Sequence, residues 1–148
     1  MKTYKGKYRP KNTKKYRGDP MKIVYRSLWE RQAFRWLDGN PDILEWNSEE
    51  IVVPYRCKTD GKVHRYFTDL WIRFQDDQQY LIEIKPKKQT EPPKQPKRQS
   101  KRYITEVMAY AKNTSKWDAA NDYCEKRGWI FQIWTEETLK KLGIKILK

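Results

Sequence analysis

Residues 1–22 carry almost no periodic apolar positions and are broken by Gly, Pro and Asn, a pattern that predicts a flexible basic arm rather than part of a core. The pattern changes at "SLWERQAFRWLDGNP". Trp29, Ala33, Trp36 and Leu37 fall at helical spacing, Ser27 stands where an N-cap belongs, and Gly39-Asn40-Pro41 supplies the stop, predicting a helix of about three turns. "DILEW" and "EEIVVPYRCK" are short and rich in β-formers. After the turn signal Asp60-Gly61 comes "KVHRYFTDLWIRF", read as one further strand, and the polar turn "QDDQQ" at 75–79 separates it from "YLIEIK". These segments predict a meander of three or more antiparallel strands.

The stretch 86–100, "PKKQTEPPKQPKRQS", holds four Pro and five Lys/Arg and cannot be a central strand, so it reads as a loop or basic flap. Beyond it Ile104, Val107, Met108 and Ala111 recur at helical spacing, and a second helical stretch runs from about Ser115 through Trp117, Ala120 and Cys124 to a stop at Gly128. "WIFQIW" reads as a buried strand. "TEETLKKLG" has a Thr cap, acidic first turn, basic last turn and terminal Gly, the marks of a closing helix. The chain is thus an α/β (α+β) domain over residues 23–148 preceded by an arm over 1–22.

Length and composition fit that reading. The 148 residues are 37% hydrophobic and 14% aromatic, enough to build a single core and too apolar for a disordered chain. No apolar run approaches the roughly 18 residues of a membrane span, and the first twenty residues lack a signal peptide's apolar stretch, so a soluble protein that is not secreted is expected. Cys57 and Cys124 stand far apart with no His nearby, which indicates neither a zinc site nor a disulfide framework. His64 has no local Ser or Cys partner and reads as a strand residue near the surface.

Charge is segregated. The net charge is +14; residues 1–20 hold eight Lys/Arg and one Asp, residues 85–102 hold eight Lys/Arg and one Glu, and the remainder is balanced. Basic runs interleaved with Tyr suit a polyanion, because cations neutralise phosphates while Tyr can stack on bases. Nucleic acid is the expected partner. The residues expected to meet it are Lys14, Lys15 and Arg17 of the arm, Arg26 before the first helix, and Arg65 upstream of Asp69. Lys87, Lys88, Lys97 and Arg98 of the flap, with Lys101 and Arg102 after it, complete the set.

The sharpest chemistry lies in "TDLWIRFQDDQQYLIEIKP". If Phe74 pairs with Tyr80, Asp69 faces Lys85 and Trp71 faces Glu83, so Asp69, Glu83 and Lys85 share one sheet face. Leu70, Ile72, Phe74, Ile82 and Ile84 then share the other, which makes the core. Two carboxylates on a common face suit a hard cation such as Mg²⁺ or Mn²⁺, and a lysine beside that ion can orient a water or offset charge on a phosphate. The bland alternative is a surface Asp69–Lys85 ion pair worth under about 1 kcal/mol.

Asp69 followed by Glu83-x-Lys85 at the end of an apolar strand, with Glu30 on the first helix, resembles the PD-(D/E)xK nuclease superfamily. Residue 68 is Thr where that name has Pro. Within the superfamily, "YRSLWE", "IEIKP" and "KWDAANDYCEKRGWIFQIWTEE" look like two related groups. These are the nuclease subunits of cut-and-paste transposons and, closer in size and Lys/Tyr content, the head-completion nucleases of T-even-type tailed phages.

The resemblance implies a restriction-endonuclease-like core and Mg²⁺- or Mn²⁺-dependent DNA cleavage leaving a 5′-phosphate. It implies an ion held by Asp69, Glu83 and the Ile84 carbonyl, Glu30 holding a second ion or a water, and Lys85 activating the nucleophile. It implies action in the host cytoplasm during infection or in the virion head or neck, with portal or neck proteins as partners. Two other readings stand beside it: a non-enzymatic DNA-binding assembly protein that keeps the fold, and a transposon-type end-cleaving nuclease. Ser27-x-x-Glu30 is also a capping box, which would make Glu30 a purely local device.

Overall fold

Ser27 caps the first long helix as its position predicts: its Oγ accepts the Glu30 N–H at 3.2 Å. That helix, α1 (Leu28–Gly39), is seen in a computed structural model describing residues 4–147. It turns Ala33, Phe34 and Leu37 inward, against Trp46, Ile72 and Ile82. Fully burying each large apolar side chain contributes roughly 1.5–3 kcal/mol.

A mixed four-stranded sheet forms the centre. Its order is β3 (Ile43–Asn47), β6 (Leu70–Phe74), β7 (Gln79–Ile84) and β8 (Ile130–Trp134). The first three are antiparallel and β8 joins β7 in parallel. Between β3 and β6 the chain makes a separate hairpin of β4 (Val52–Arg56) and β5 (Val63–Phe67). The single strand expected over residues 62–74 is therefore two. The β5 part alternates between buried and exposed and pairs with β4, whereas Leu70, Trp71 and Ile72 are buried in succession and β6 pairs with β3 and β7. At the break Thr68 N–H donates to Ile51 O, and Glu49 N–H donates to Thr68 O.

Both sheet faces are covered. Leu70, Ile72 and Ile82 pack toward α1, with Leu139 of α3 (Glu136–Lys141) in the same cluster. Trp71 and Leu81 pack beneath the β4–β5 hairpin and α2 (Lys101–Arg127). The predicted core face is as expected, but the opposite face is equally closed.

The two expected helical stretches form one helix. Its Ser100 cap accepts the Tyr103 N–H at 3.2 Å, and Gly128 ends it at φ 71°, a left-handed conformation that glycine adopts without Cβ strain. No Gly or Pro lies inside α2 to divide it. Only its second half meets the body, through Ser115, Trp117, Ala120 and Cys124. Ile104, Val107 and Met108 are 47%, 37% and 47% exposed. Helical spacing placed them on one face, but the sheet does not extend far enough to cover it. Residues 86–100 contain no strand, as expected, and include one 3-10 turn at Lys87–Thr90. No described helix is long and apolar enough to cross a membrane.

The expected arm is the main correction. β1 (Gly6–Lys7) pairs with β2 (Val24–Tyr25), and Tyr16, only 6% exposed, meets the Trp46 ring edge-on at 4.8 Å. Buried Asp38, near the end of α1, gathers the segment. It accepts Tyr8 Oη–H at 2.9 Å, Lys11 N–H at 2.7 Å and Asn12 N–H at 3.0 Å. Lys15 Nζ donates to the carbonyls of Leu37, Asp38 and Asn40 at 2.8, 3.1 and 2.8 Å, satisfying acceptors that a helix end leaves open. Low apolar periodicity concealed these anchors, which are long-range and polar.

Asp38→Ala leaves three donors without their acceptor and should cost about 2–4 kcal/mol. Urea unfolding measures this, and amide exchange at Lys11 and Asn12 should accelerate with it.

Candidate active site

The β6–β7 turn closes more tightly than expected. Asp77 adopts φ 69°, its N–H donates to Phe74 O, and Phe74 N–H donates to Gln78 O, both at 2.9 Å. Residues 75–77 form a three-residue loop ending in a left-handed residue. Leu70 consequently opposes Ile82 and Trp71 opposes Leu81, two residues from the expected register. A two-residue shift preserves the parity of faces, so the grouping survives while the direct opposites change. Continued by one residue, this register brings Asp69 opposite Glu83 rather than opposite Lys85.

Asp69 stands just beyond the paired part of β6. Its side chain takes over from the ladder: Oδ2 accepts the Ile84 N–H at 2.7 Å. That bond holds the carboxylate against β7 beside Glu83, which is 6% exposed. Glu83 Oε2 accepts Tyr66 Oη–H at 2.5 Å, and Lys85 Nζ lies 3.5 Å from Glu83 Oε1. Asp69, Glu83 and Lys85 are thus brought together on the α2 side of the sheet.

Glu30 lies at the start of α1, near this edge. One of its oxygens accepts the N–H of Arg26, the residue before the Ser27 cap, so Glu30 is tied to the local backbone one residue outside the capping-box position; Oε1 makes no hydrogen bond among the described residues. Arg26 also forks onto Glu49, Nε to Oε1 at 2.7 Å and Nη2 to Oε2 at 3.2 Å. Glu49 holds a left-handed φ of 56°, a conformation that costs a non-glycine residue about 1–2 kcal/mol.

Burial, then the charges of Glu83 and Glu30, push the Asp69 carboxyl well above the usual carboxylate range, against the Ile84 N–H and Lys85. Burial and Glu49 push Glu30 the same way. Burial, with Glu83 beside it, strongly raises the Tyr66 hydroxyl, which keeps it a donor. These oxygens fit a small hard cation, since a positive charge between Asp69 and Glu83 would relieve their repulsion. Among the described residues, however, no three His, Cys, Asp or Glu side chains already converge as a cage. Glu30 acts on Asp69 through its charge while one of its oxygens is held by the Arg26 N–H.

The basic residues divide. Lys15 is engaged at the end of α1, Arg17 and Arg73 both pair with Glu45, and Arg26 pairs with Glu49. Lys87 pairs with Glu137 at 3.0 Å and Arg102 with Glu106 at 3.2 Å. Arg65 lies over the Phe67 ring at 5.0 Å. Lys14, Lys88, Lys97, Arg98 and Lys101 are exposed and make no ion pair among the described residues. Sequence reading missed Tyr66 and Glu49, which join the carboxylates by tertiary contacts. Tyr66 carried one faint signal, its place three residues before Asp69.

Residues 40–136 match the family model described as TnsA-like endonuclease N terminal. The chain is also 50% identical over 146 residues to the head completion nuclease of Enterobacteria phage T4, covering 96% of this chain and 97% of that one. No solved structure matches.

Because its folded-state pKa is raised, ionised Asp69 opposes folding. The penalty is absent below about pH 4, where the carboxyl is protonated folded or unfolded, and grows as pH rises through the folded-state value. Asp69→Asn keeps an acceptor for Ile84 and should stabilise the metal-free protein at about pH 8, by about 1.4 kcal/mol per pKa unit relieved, with no gain at about pH 4. Denaturant melts at the two pH values decide it.

Proposed function

The chain belongs to the TnsA-like endonuclease N-terminal family, and from that premise we propose that it is a divalent-metal-dependent, PD-(D/E)xK-type endonuclease acting on double-stranded DNA. The observation that carries this reading is half-buried Asp69 held beside buried Glu83, with Lys85 3.5 Å from Glu83. An arrangement so short of positive charge is costly in a purely structural role.

Asp69, Glu83 and the Ile84 carbonyl would hold Mg²⁺ or Mn²⁺, which supplies a Lewis acid and an acidified water. Around it, the chain's own groups have separate tasks. Tyr66 fixes one oxygen of Glu83 and the Ile84 N–H fixes one of Asp69, so each carboxylate is pre-oriented. Lys85 donates toward the attacking water and the phosphoryl oxygens, where charge grows in the transition state. Glu30 keeps one oxygen on the Arg26 N–H and would offer Oε1 to a second ion or a water. The water oxygen bonds to phosphorus and the bond to the 3′ oxygen breaks, leaving a 5′-phosphate and a 3′-hydroxyl.

The likeness to a head completion nuclease supports a place in phage head completion during infection of the host. Packaged DNA would be the substrate, and portal or neck proteins the candidate partners. Lys14, Lys88, Lys97, Arg98 and Lys101 are the cations best placed to meet DNA backbone, whereas Lys15, Arg17, Arg26, Lys87 and Arg102 would first exchange their internal partners.

Linear and supercoiled DNA incubated with Mg²⁺ or Mn²⁺ should be cut by the unaltered chain, with Asp69→Ala and Lys85→Ala slower by about 10²-fold or more. Equal persistence of DNA with all three proteins under these conditions would instead favour a DNA-binding assembly protein. If six to ten phosphates are held, raising salt from about 50 to 200 mM should weaken binding about 10³–10⁵-fold. Affinity that barely responds to salt would remove the basic loop from the interface.

A further inference from the structure

Lys116 belongs to no motif and is absent from the constellation above, yet α2 brings it to Tyr66, on the side of the sheet where Glu83 lies. It lies one helical turn before Ala120, which is fully buried against the Trp71–Leu81 face, and one turn after exposed Lys112. Its ammonium sits over the Tyr66 ring, 5.4 Å from the centroid, and Tyr66 is the residue whose hydroxyl holds Glu83. Lys116 is half-buried and makes no ion pair within 4.0 Å among the described residues. Lys85, by contrast, is already drawn to Glu83.

A half-buried ammonium is costly unless something compensates it. The π face of Tyr66 offers about 0.5–2 kcal/mol, and the charges of Glu83 and Asp69 favour the ammonium while Lys112 and Lys85 oppose it. These are long-range influences rather than a partner in contact. A phosphodiester approaching Asp69 and Glu83 meets two carboxylates, and Lys85 is already drawn to one of them, so a further cation is needed. Burial of Lys116 pushes its ammonium toward deprotonation, which an incoming anion would reverse.

We propose that Lys116 is a phosphate-binding residue of the active site, donating to a non-bridging oxygen of the phosphodiester from the α2 side, opposite the sheet that carries Lys85. This rests on the nuclease reading. It assigns α2 a direct part in substrate binding. The interaction grows as charge accumulates on that oxygen, so it should act on kcat as well as on affinity.

Lys116→Met tests it, because Met keeps an apolar stem over Tyr66 and removes only the charge; Lys116→Gln serves if Met misfolds. Three quantities are read on a short DNA duplex: thermal stability, cleavage with Mg²⁺, and the salt dependence of binding in EDTA. Expected are undiminished stability, kcat lower by about tenfold or more, and a log–log salt slope smaller by about 0.9, the loss of one phosphate contact. Lys116→Arg, which retains the charge, should retain the slope. An unchanged slope in Lys116→Met overturns the inference, as does cleavage within about threefold of the unaltered chain. If the unaltered chain and Asp69→Ala are both inert, the nuclease reading fails, and the EDTA slope alone then decides whether Lys116 holds phosphate.

Discussion

Half-buried Asp69 and buried Glu83 are held side by side, and several separate elements converge to keep these two carboxylates together. The tight β6–β7 turn sets their register. The Ile84 N–H and the Tyr66 hydroxyl fix one oxygen of each, and the β4–β5 hairpin with α2 closes the face on which they lie. Folding near neutral pH proceeds against this repulsion, so the hydrophobic clusters on both sides of the sheet must supply the surplus.

How far the sequence discloses this depends on the range of the forces. The α1 cap, the core parity of Leu70, Ile72 and Ile82, and the grouping of Asp69, Glu83 and Lys85 were legible because each follows from spacing along a few residues. The register was misjudged by two because turn closure depends on one backbone conformation, that of Asp77, which composition does not announce. The break between β5 and β6 was hidden in the same way, since Phe67 and Leu70 look alike as strand residues. Parity protected the site reading from both errors.

Longer-range contacts were harder to read. Nothing near Tyr8, Lys11 or Asn12 points to Asp38, some thirty residues away, and nothing near Lys116 points to Tyr66. The apolar repeat Ile104, Val107, Met108 shows the converse: a regular pattern whose face the domain leaves uncovered. Charge was equally ambiguous. Sequence counting treats each Lys and Arg alike, whereas Glu45 draws in both Arg17 and Arg73 and the end of α1 absorbs Lys15.

The Asp38 hub has a consequence for the thermodynamics of association. A free basic tail that becomes ordered on a polyanion gives up about 1–2 kcal/mol of backbone entropy per residue fixed. Here the bonds to Asp38 and α1 have already fixed residues 8, 11, 12 and 15 during folding. Lys14, within that span, therefore presents its charge from a settled backbone, and ordering of these residues does not subtract from the free energy of its meeting with an anionic surface.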